Sequence, residues 1–190
     1  MKVRESGMPS EALWQTFFKP QQIVEKLGIN RQTKDVVEFG CGYGTFTLPT
    51  AKVIAGRVTS FELNPSMLSH AEARAKEAGI NNITYLNEDF YRATELLGRE
   101  TFDYVMLFNI LHAENPGELL NEAHALLAPG GKAGVMHWNF DPETPRGPPM
   151  AIRPRPETLA KLATELAFQV SPKIDLPPYH YGFILTRASE

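Results

Sequence analysis

The sequence predicts an α/β domain built on a doubly wound, mostly parallel sheet. Three observations carry the prediction. Short apolar runs recur at residues 36–39, 58–63, 83–86, 102–108 and 135–138; helical patterns alternate with them; and the first run opens into Gly40-x-Gly42-x-Gly44. Strands that alternate with helices over so short a chain favour parallel pairing through right-handed crossovers. Runs that are apolar on both faces suit strands covered from both sides.

The elements follow in order. At the front, Trp14, Phe17 and Phe18 stand at helical spacing in a segment that ends near Lys19-Pro20. They are expected to pack on the sheet or to form a lid over the site. A second helix over residues 23–27 leads to the first strand. The glycine turn is expected to feed a helix starting at Thr45, whose first amides favour an anion. After the second strand, Asn64-Pro65 pairs an N-cap with proline at the first helical position, Leu68, Ala71, Ala75 and Ala78 line one side, and Gly79 stops the helix. Asn115-Pro116 repeats that device ahead of a stripe of Leu119, Leu120, Ala123, Leu126 and Leu127. Pro129-Gly130-Gly131 breaks this helix and starts the fifth strand. Residues 141–156 hold six prolines and read as a stiff loop. Pro156 opens a last helix with Leu159, Leu162, Ala163 and Leu166 inward. Two strand patterns, 168–174 and 181–186, close the chain as an antiparallel hairpin about Pro177-Pro178. The expected sheet is mixed, of about seven strands, with the last one antiparallel.

Composition narrows the function classes. A chain of 190 residues, 43% hydrophobic, supports a single core and one domain. Net charge is −3 with no basic run, so no nucleic-acid footprint is expected. The single Cys41 precludes an internal disulfide and suits a reducing compartment. Residues 1–6 lack the apolar core of a signal peptide. The apolar stretch 104–113 is short and interrupted by Asn109 and His112, so no bilayer span is expected. A cytoplasmic monomer or homodimer without a metal site is the expectation.

The chemistry begins at Glu38-x-Gly40-x-Gly42-x-Gly44. A dinucleotide fingerprint needs its third glycine at position 45, where Thr45 stands. Glu62 follows about 20 residues on, Asp89-Phe90 follows the third strand, and Pro129-Gly130-Gly131 precedes the fifth. Together these residues resemble the motifs of class I S-adenosylmethionine (SAM)-dependent methyltransferases. The resemblance spans residues 34–138, with 1–30 as an N-terminal helical segment and 139–190 as an acceptor-side loop, helix and hairpin. It implies a Rossmann-like fold and SAM as cofactor. In that reading Glu38 accepts from the amino group of SAM, directly or through water, and the turn Gly40, Cys41, Gly42, Gly44 cradles the methionine portion. Glu62 grips the ribose diol, Leu63 and Met67 pack on the adenine, and Asp89, followed by Phe90, accepts from its exocyclic amine. Asn109 lies beside the sulfonium. Cys41 reads as a packing residue rather than a nucleophile.

The acceptor side is read from position. Trp14, Phe17 and Phe18, His112, and His137-Trp138-Asn139 come from segments that often form the acceptor pocket in small members of the class. His137 ends a strand at the catalytic edge and is a candidate base near neutral pH. Arg146, pinned between Pro145 and Gly147-Pro148-Pro149, is a candidate anchor for an anionic small-molecule acceptor, whereas Arg153 and Arg155 read as solvated surface residues. Tyr179 and His180 are placed to reach the pocket from the hairpin. Leu176-Pro177-Pro178-Tyr179 is similar to the catalytic tetrad of DNA amino-methyltransferases. In those enzymes the tetrad follows the fourth strand, where this chain has Asn109-Ile110-Leu111-His112, so base flipping gains no support. Two other classes compete: a catalytically silent SAM-binding regulatory module, and a nicotinamide-dependent reductase. The second is disfavoured by Thr45 and by the absence of a Tyr-x-x-x-Lys pair at Tyr85, Tyr91 and Tyr104.

Overall fold

The computed structural model describes residues 8–189; residues 1–7 of the N-terminal segment lie outside the described residues. The elements are α1 (Glu11–Gln15), α2 (Pro20–Lys26), β1 (Val36–Phe39), α3 (Thr47–Val53), β2 (Val58–Phe61), α4 (Pro65–Glu77), β3 (Ile83–Leu86), α5 (Ala93–Leu97), β4 (Phe102–Phe108), α6 (Pro116–Leu126), β5 (Leu127–Trp138), α7 (Pro156–Glu165), β6 (Phe168–Val170), β7 (Ile174–Leu176) and β8 (His180–Arg187). One sheet of eight strands runs β3-β2-β1-β4-β5-β8-β6, with β7 also on β8. The first five strands are parallel, and β8 is antiparallel to β5, β6 and β7. The mixed α/β sheet with an antiparallel last strand is therefore as expected.

Three details differ, each for a backbone reason. The expected strand 168–174 is two strands, because Pro172 lacks the N–H that a ladder needs. Strand β5 starts at Leu127 rather than after the glycines: Phe102 pairs with Leu127 but Tyr104 with Lys132, so Pro129-Gly130-Gly131 bulges out of a continuing ladder. Helix α3 starts at Thr47, because Gly44 has φ of 74°, outside the helical region.

Two apolar layers cover the sheet. One packs α5, α6 and α7 through Ala93, Leu119, Leu120, Ala123, Leu159 and Ala163 against Val37, Val105, Val135 and Tyr181. The other packs α2 and α3 through Ile23, Val24 and Ala51 against Val36, Tyr104, Met106 and Met136. Buried side chains of this size contribute about 1.5–3 kcal/mol each. Gly134 is required by that second layer: a Cβ there would overlap the Tyr104 hydroxyl, which donates to the Leu27 carbonyl at 2.6 Å. Phe17 and Phe18 belong to the same layer at 6% exposure each, packed on Trp138 and Phe46. These two aromatics are thus core, whereas α1 just ahead of them has no buried residue. No helix among the described residues is long and apolar enough to cross a membrane.

Candidate functional site

The carboxyl ends of the parallel strands share one sheet edge, and the pair Trp138–His180 brings the start of β8 to the same place. Ligands bind at this edge in open α/β sheets. From Phe39 the chain turns through Gly40, Gly42 and Gly44, each at positive φ. A Cβ on Gly44 would stand 2.8 Å from Leu48 Cδ1 and 3.4 Å from Ala71 Cβ, so α3 and α4 close on the turn only around glycine. Cys41 is buried within it, and its thiol is pushed far up, first by burial and then by Glu38 and Glu62, which leaves it unreactive.

Two carboxylates flank the turn in different states. Glu38, 3% exposed, accepts through Oε2 from Thr47 Oγ1 at 2.5 Å and Ser60 Oγ at 2.7 Å. Burial pushes its carboxyl up to about 7, against the pull of these two hydroxyls. It faces α3 and β2 and fixes the start of the helix. Glu62 is half-buried, and its two oxygens accept from Gly42 N–H and Asn64 N–H, both at 2.9 Å. Two amides hold the carboxylate in one plane, and each oxygen keeps a lone pair for a further donor. Asn64 also caps α4 at Ser66 and Met67, as its sequence position predicts.

The remaining donor-side residues spread along the edge. Leu63 is 45% exposed and Met67 is half-buried. Asn87 Nδ2 ties the end of β3 to the carbonyls of Glu62 and Leu63. Asp89 caps a short 3-10 turn through Oδ1, 3.0 Å from Tyr91 N, and a carboxylate has a second oxygen to offer. Phe90 points inward and stacks on Phe39 at 5.2 Å. Asn109 follows β4 with φ of 58°, an unusual conformation for a side-chain-bearing residue that clusters at functional sites. Its neighbour Ile110 reaches within 3.8 Å of a Cβ placed on Gly40, which sets the end of β4 beside the glycine turn.

The acceptor-side residues fall into separate groups. His137 is fully buried, with Nε2 3.3 Å from Nδ1 of buried His112. Burial first, then His112, hold it well below the ordinary histidine range. The expectation of a base titrating near neutrality is thereby corrected: desolvation keeps this imidazole neutral. His180 lies on the opposite face of the sheet, since alternate residues point to opposite sides. Its ring sits 4.3 Å from that of Trp138 and 4.6 Å from that of Phe18, and burial lowers its pKa to about 3. Tyr179 packs on Trp138 and Phe17 in the same aromatic group.

Of the loop arginines, Arg153 departs from its expected place on the surface, whereas Arg155 is exposed as expected. Arg146 is exposed, whereas Arg153 is 8% exposed. The Arg153 guanidinium donates to the carbonyls of Pro148, Asn139, Asp141 and Arg146 and to Thr144 Oγ1. Arg155 lies 3.8 Å over the Phe140 ring. A fork of five N–H donors can serve a loop of carbonyls that proline has stripped of its own amides, which composition alone does not reveal. Thr47 and Ser60 belong to no motif in the sequence; the signal for Ser60 is a polar residue inside an apolar strand.

Six buried side-chain nitrogen and oxygen atoms lack a hydrogen-bond partner among the described residues. They belong to Thr45, Asn109, His137 and His180. All four residues stand at this one edge, after β1, after β4, at the end of β5 and at the start of β8. Unpaired buried polar atoms cost about 1–3 kcal/mol each, so their concentration makes this edge the candidate site. Two clefts lie away from it, one between α4 and β3 near Gly79 and Tyr85 and one at the opposite edge near Gly28 and Lys132.

Known proteins share this fold and part of this sequence. The fold is similar to that of a SAM-dependent methyltransferase from Aquifex aeolicus, with a TM-score of 0.81 over 93% of both chains at 17% identity. In sequence, the chain is 33% identical over 64 residues to a ribosomal protein L11 methyltransferase of Shewanella pealeana, covering 33% of this chain and 22% of that protein. It is 25% identical over 140 residues to a sterol 24-C-methyltransferase of Neurospora crassa, covering 70% of this chain and 36% of that protein. The chain thus spans only about a fifth to a third of these curated relatives. Their acceptors, a ribosomal protein and a sterol, have nothing in common that would carry over. Residues 36–131, from β1 to the glycine bulge of β5, match the family described as the methyltransferase domain, and the chain belongs to that family.

Proposed function

We propose that this chain transfers a methyl group from SAM to a small-molecule acceptor. The observation that carries the reading is the set of unpaired buried polar atoms on Thr45, Asn109 and His137, gathered around a glycine turn and a carboxylate held by two amides. The residues fit this donor. Glu62 presents two oriented oxygens to the ribose hydroxyls, and the backbone of Gly40 and Gly42 allows the methionine portion to lie close. Asp89 offers its second oxygen to the adenine amine, and Leu63 and Met67 supply apolar surface beside it. Asn109 offers its amide and carbonyl next to the sulfonium. Glu38 sits behind the turn, where its position sets α3 and so the place of the glycines that the donor would meet.

The donor brings a carbon already activated by a positive sulfur, so the protein need only hold the acceptor atom in line with it. The acceptor's lone pair forms the new bond to that carbon as the carbon–sulfur bond breaks toward sulfur. Any proton left on the acceptor goes to solvent or to a group at the mouth, since His137 is enclosed. The loop 139–153, fastened by Arg153, and the aromatic group of Phe17, Trp138 and Tyr179 border the acceptor side, with Arg146 exposed at the rim as the anchor for an anionic substituent.

Native mass spectrometry of the purified protein tests the proposal. A retained nucleoside thioether, released on denaturation, is the expected result. Saturable binding of NADH with none of SAM would overturn it.

A further inference from the structure

A surface strap crosses the donor turn. Met8 lies on Gly42: its Cε and Sδ would stand 3.2 Å and 3.4 Å from a Cβ placed there. The Pro9 carbonyl accepts from Tyr43 Oη at 2.9 Å. Glu11 meets His70 Nε2 at 2.7 Å and Arg74 Nη1 at 3.1 Å, both on α4. The same Arg74 nitrogen donates to the Tyr43 carbonyl at 2.6 Å, so one guanidinium joins strap and turn. Beyond α1 the chain is anchored by Phe17 and Phe18 in the core. The strap itself is lightly held, with Met8 40% and Leu13 45% exposed. Ion pairs as exposed as those of Glu11 are weak and exchange readily.

We propose that Met8 is an internal stand-in for the methyl donor: its thioether occupies the face of Gly42 that the donor's methionine portion needs, and Glu11 latches it there. This rests on the proposed use of the glycine turn for SAM. The chemistry matches, because a methionine side chain carries the same CH2–S–CH3 unit that forms the core of the donor. Gly42 cannot take both at once, since Met8 already fills the space at 3.2 Å from where a Cβ on that residue would stand. Donor binding therefore lifts the strap, and the strap returns when the product thioether leaves. A weakly latched strap that fills the seat about three-quarters of the time would raise the apparent dissociation constant about fourfold.

The test is titration calorimetry of S-adenosylhomocysteine against the whole chain and its Met8→Ala and Glu11→Gln variants, with Glu62→Ala as a control for the site. Both side chains are at the surface, so folding is retained and is checked by circular dichroism. The expected result is about fourfold tighter binding for Met8→Ala and a smaller tightening for Glu11→Gln. Unchanged or weaker binding in Met8→Ala overturns the stand-in, with weaker binding making Met8 a wall of the donor site. If Glu62→Ala abolishes binding while Met8→Ala leaves it unchanged, the donor site stands and only this inference falls. If the unmodified chain and Met8→Ala both fail to bind the nucleoside, the proposed function falls with it.

Discussion

Glu38 makes stability depend on pH in a direction that few carboxylates show. Its folded-state pKa stands at about 7 against an ordinary 4.5, with burial as the largest cause. Between these values the folded chain holds a proton that the unfolded chain has lost. Stability therefore falls as pH rises from 4.5 to about 7 and is level above that, the reverse of an ordinary ion-paired carboxylate. At about 1.4 kcal/mol for each pH unit, the ionised side chain costs the folded state about 3 kcal/mol by pH 8. Glu38→Gln keeps the shape and an acceptor for Thr47 and Ser60 but cannot ionise. Urea unfolding followed by far-ultraviolet circular dichroism, at intervals from pH 4.5 to 8, measures the difference between the two proteins. The variant should gain about 3 kcal/mol on the parent across that range, with the gain complete near pH 7. A difference that stays constant with pH would refute the reasoning, since it would mean that Glu38 titrates normally and is not enclosed.

Other perturbations follow from the same site. His180 and His137 are buried and neutral, with lowered pKa values, so the unfolded chain takes up protons first as pH falls below 6.5 and stability is lost there. His180→Leu should flatten that acid slope by about 1.4 kcal/mol per pH unit and raise stability at pH 7 by about 1 kcal/mol, because two unpaired buried nitrogens disappear; a steeper slope in urea titrations would count against it. Arg153→Ala should cost about 2–4 kcal/mol in thermal unfolding and make the 139–153 loop sensitive to protease, as four carbonyls and one hydroxyl lose their donor. Arg146→Ala should leave that clamp in place, because Arg153 takes the Arg146 carbonyl and not its side chain. Equal protease sensitivity of the two variants would show that the clamp does not hold the loop.

Much of this architecture is legible in the sequence, and the parts that are not share a cause. Asn64-Pro65 and Asn115-Pro116 announce helices α4 and α6 because capping and fixed φ are local properties. The glycine turn is equally plain, since three positive φ values in five residues demand glycine. Burial is a tertiary outcome and is not written locally. Arg153 and Arg146 sit in similar proline-rich company, yet one is enclosed by carbonyls and the other is exposed. His137 occupies the strand end that suits a base, but the neighbouring His112 and the helical layer above it remove the water that a base needs. Phe17 and Phe18 read equally well as lid or core, and what decides between them is the presence of Trp138 and Phe46, over 100 and nearly 30 residues away in sequence.

The central claim is that the edge between β1, β2 and β4 holds SAM through Glu62. Titration calorimetry of SAM against the parent chain and Glu62→Ala tests it most directly. Saturable one-to-one binding by the parent is expected, with a loss of about 2–4 kcal/mol in the variant from two charge-assisted hydrogen bonds to the ribose. SAM binding of equal strength in both proteins would contradict it.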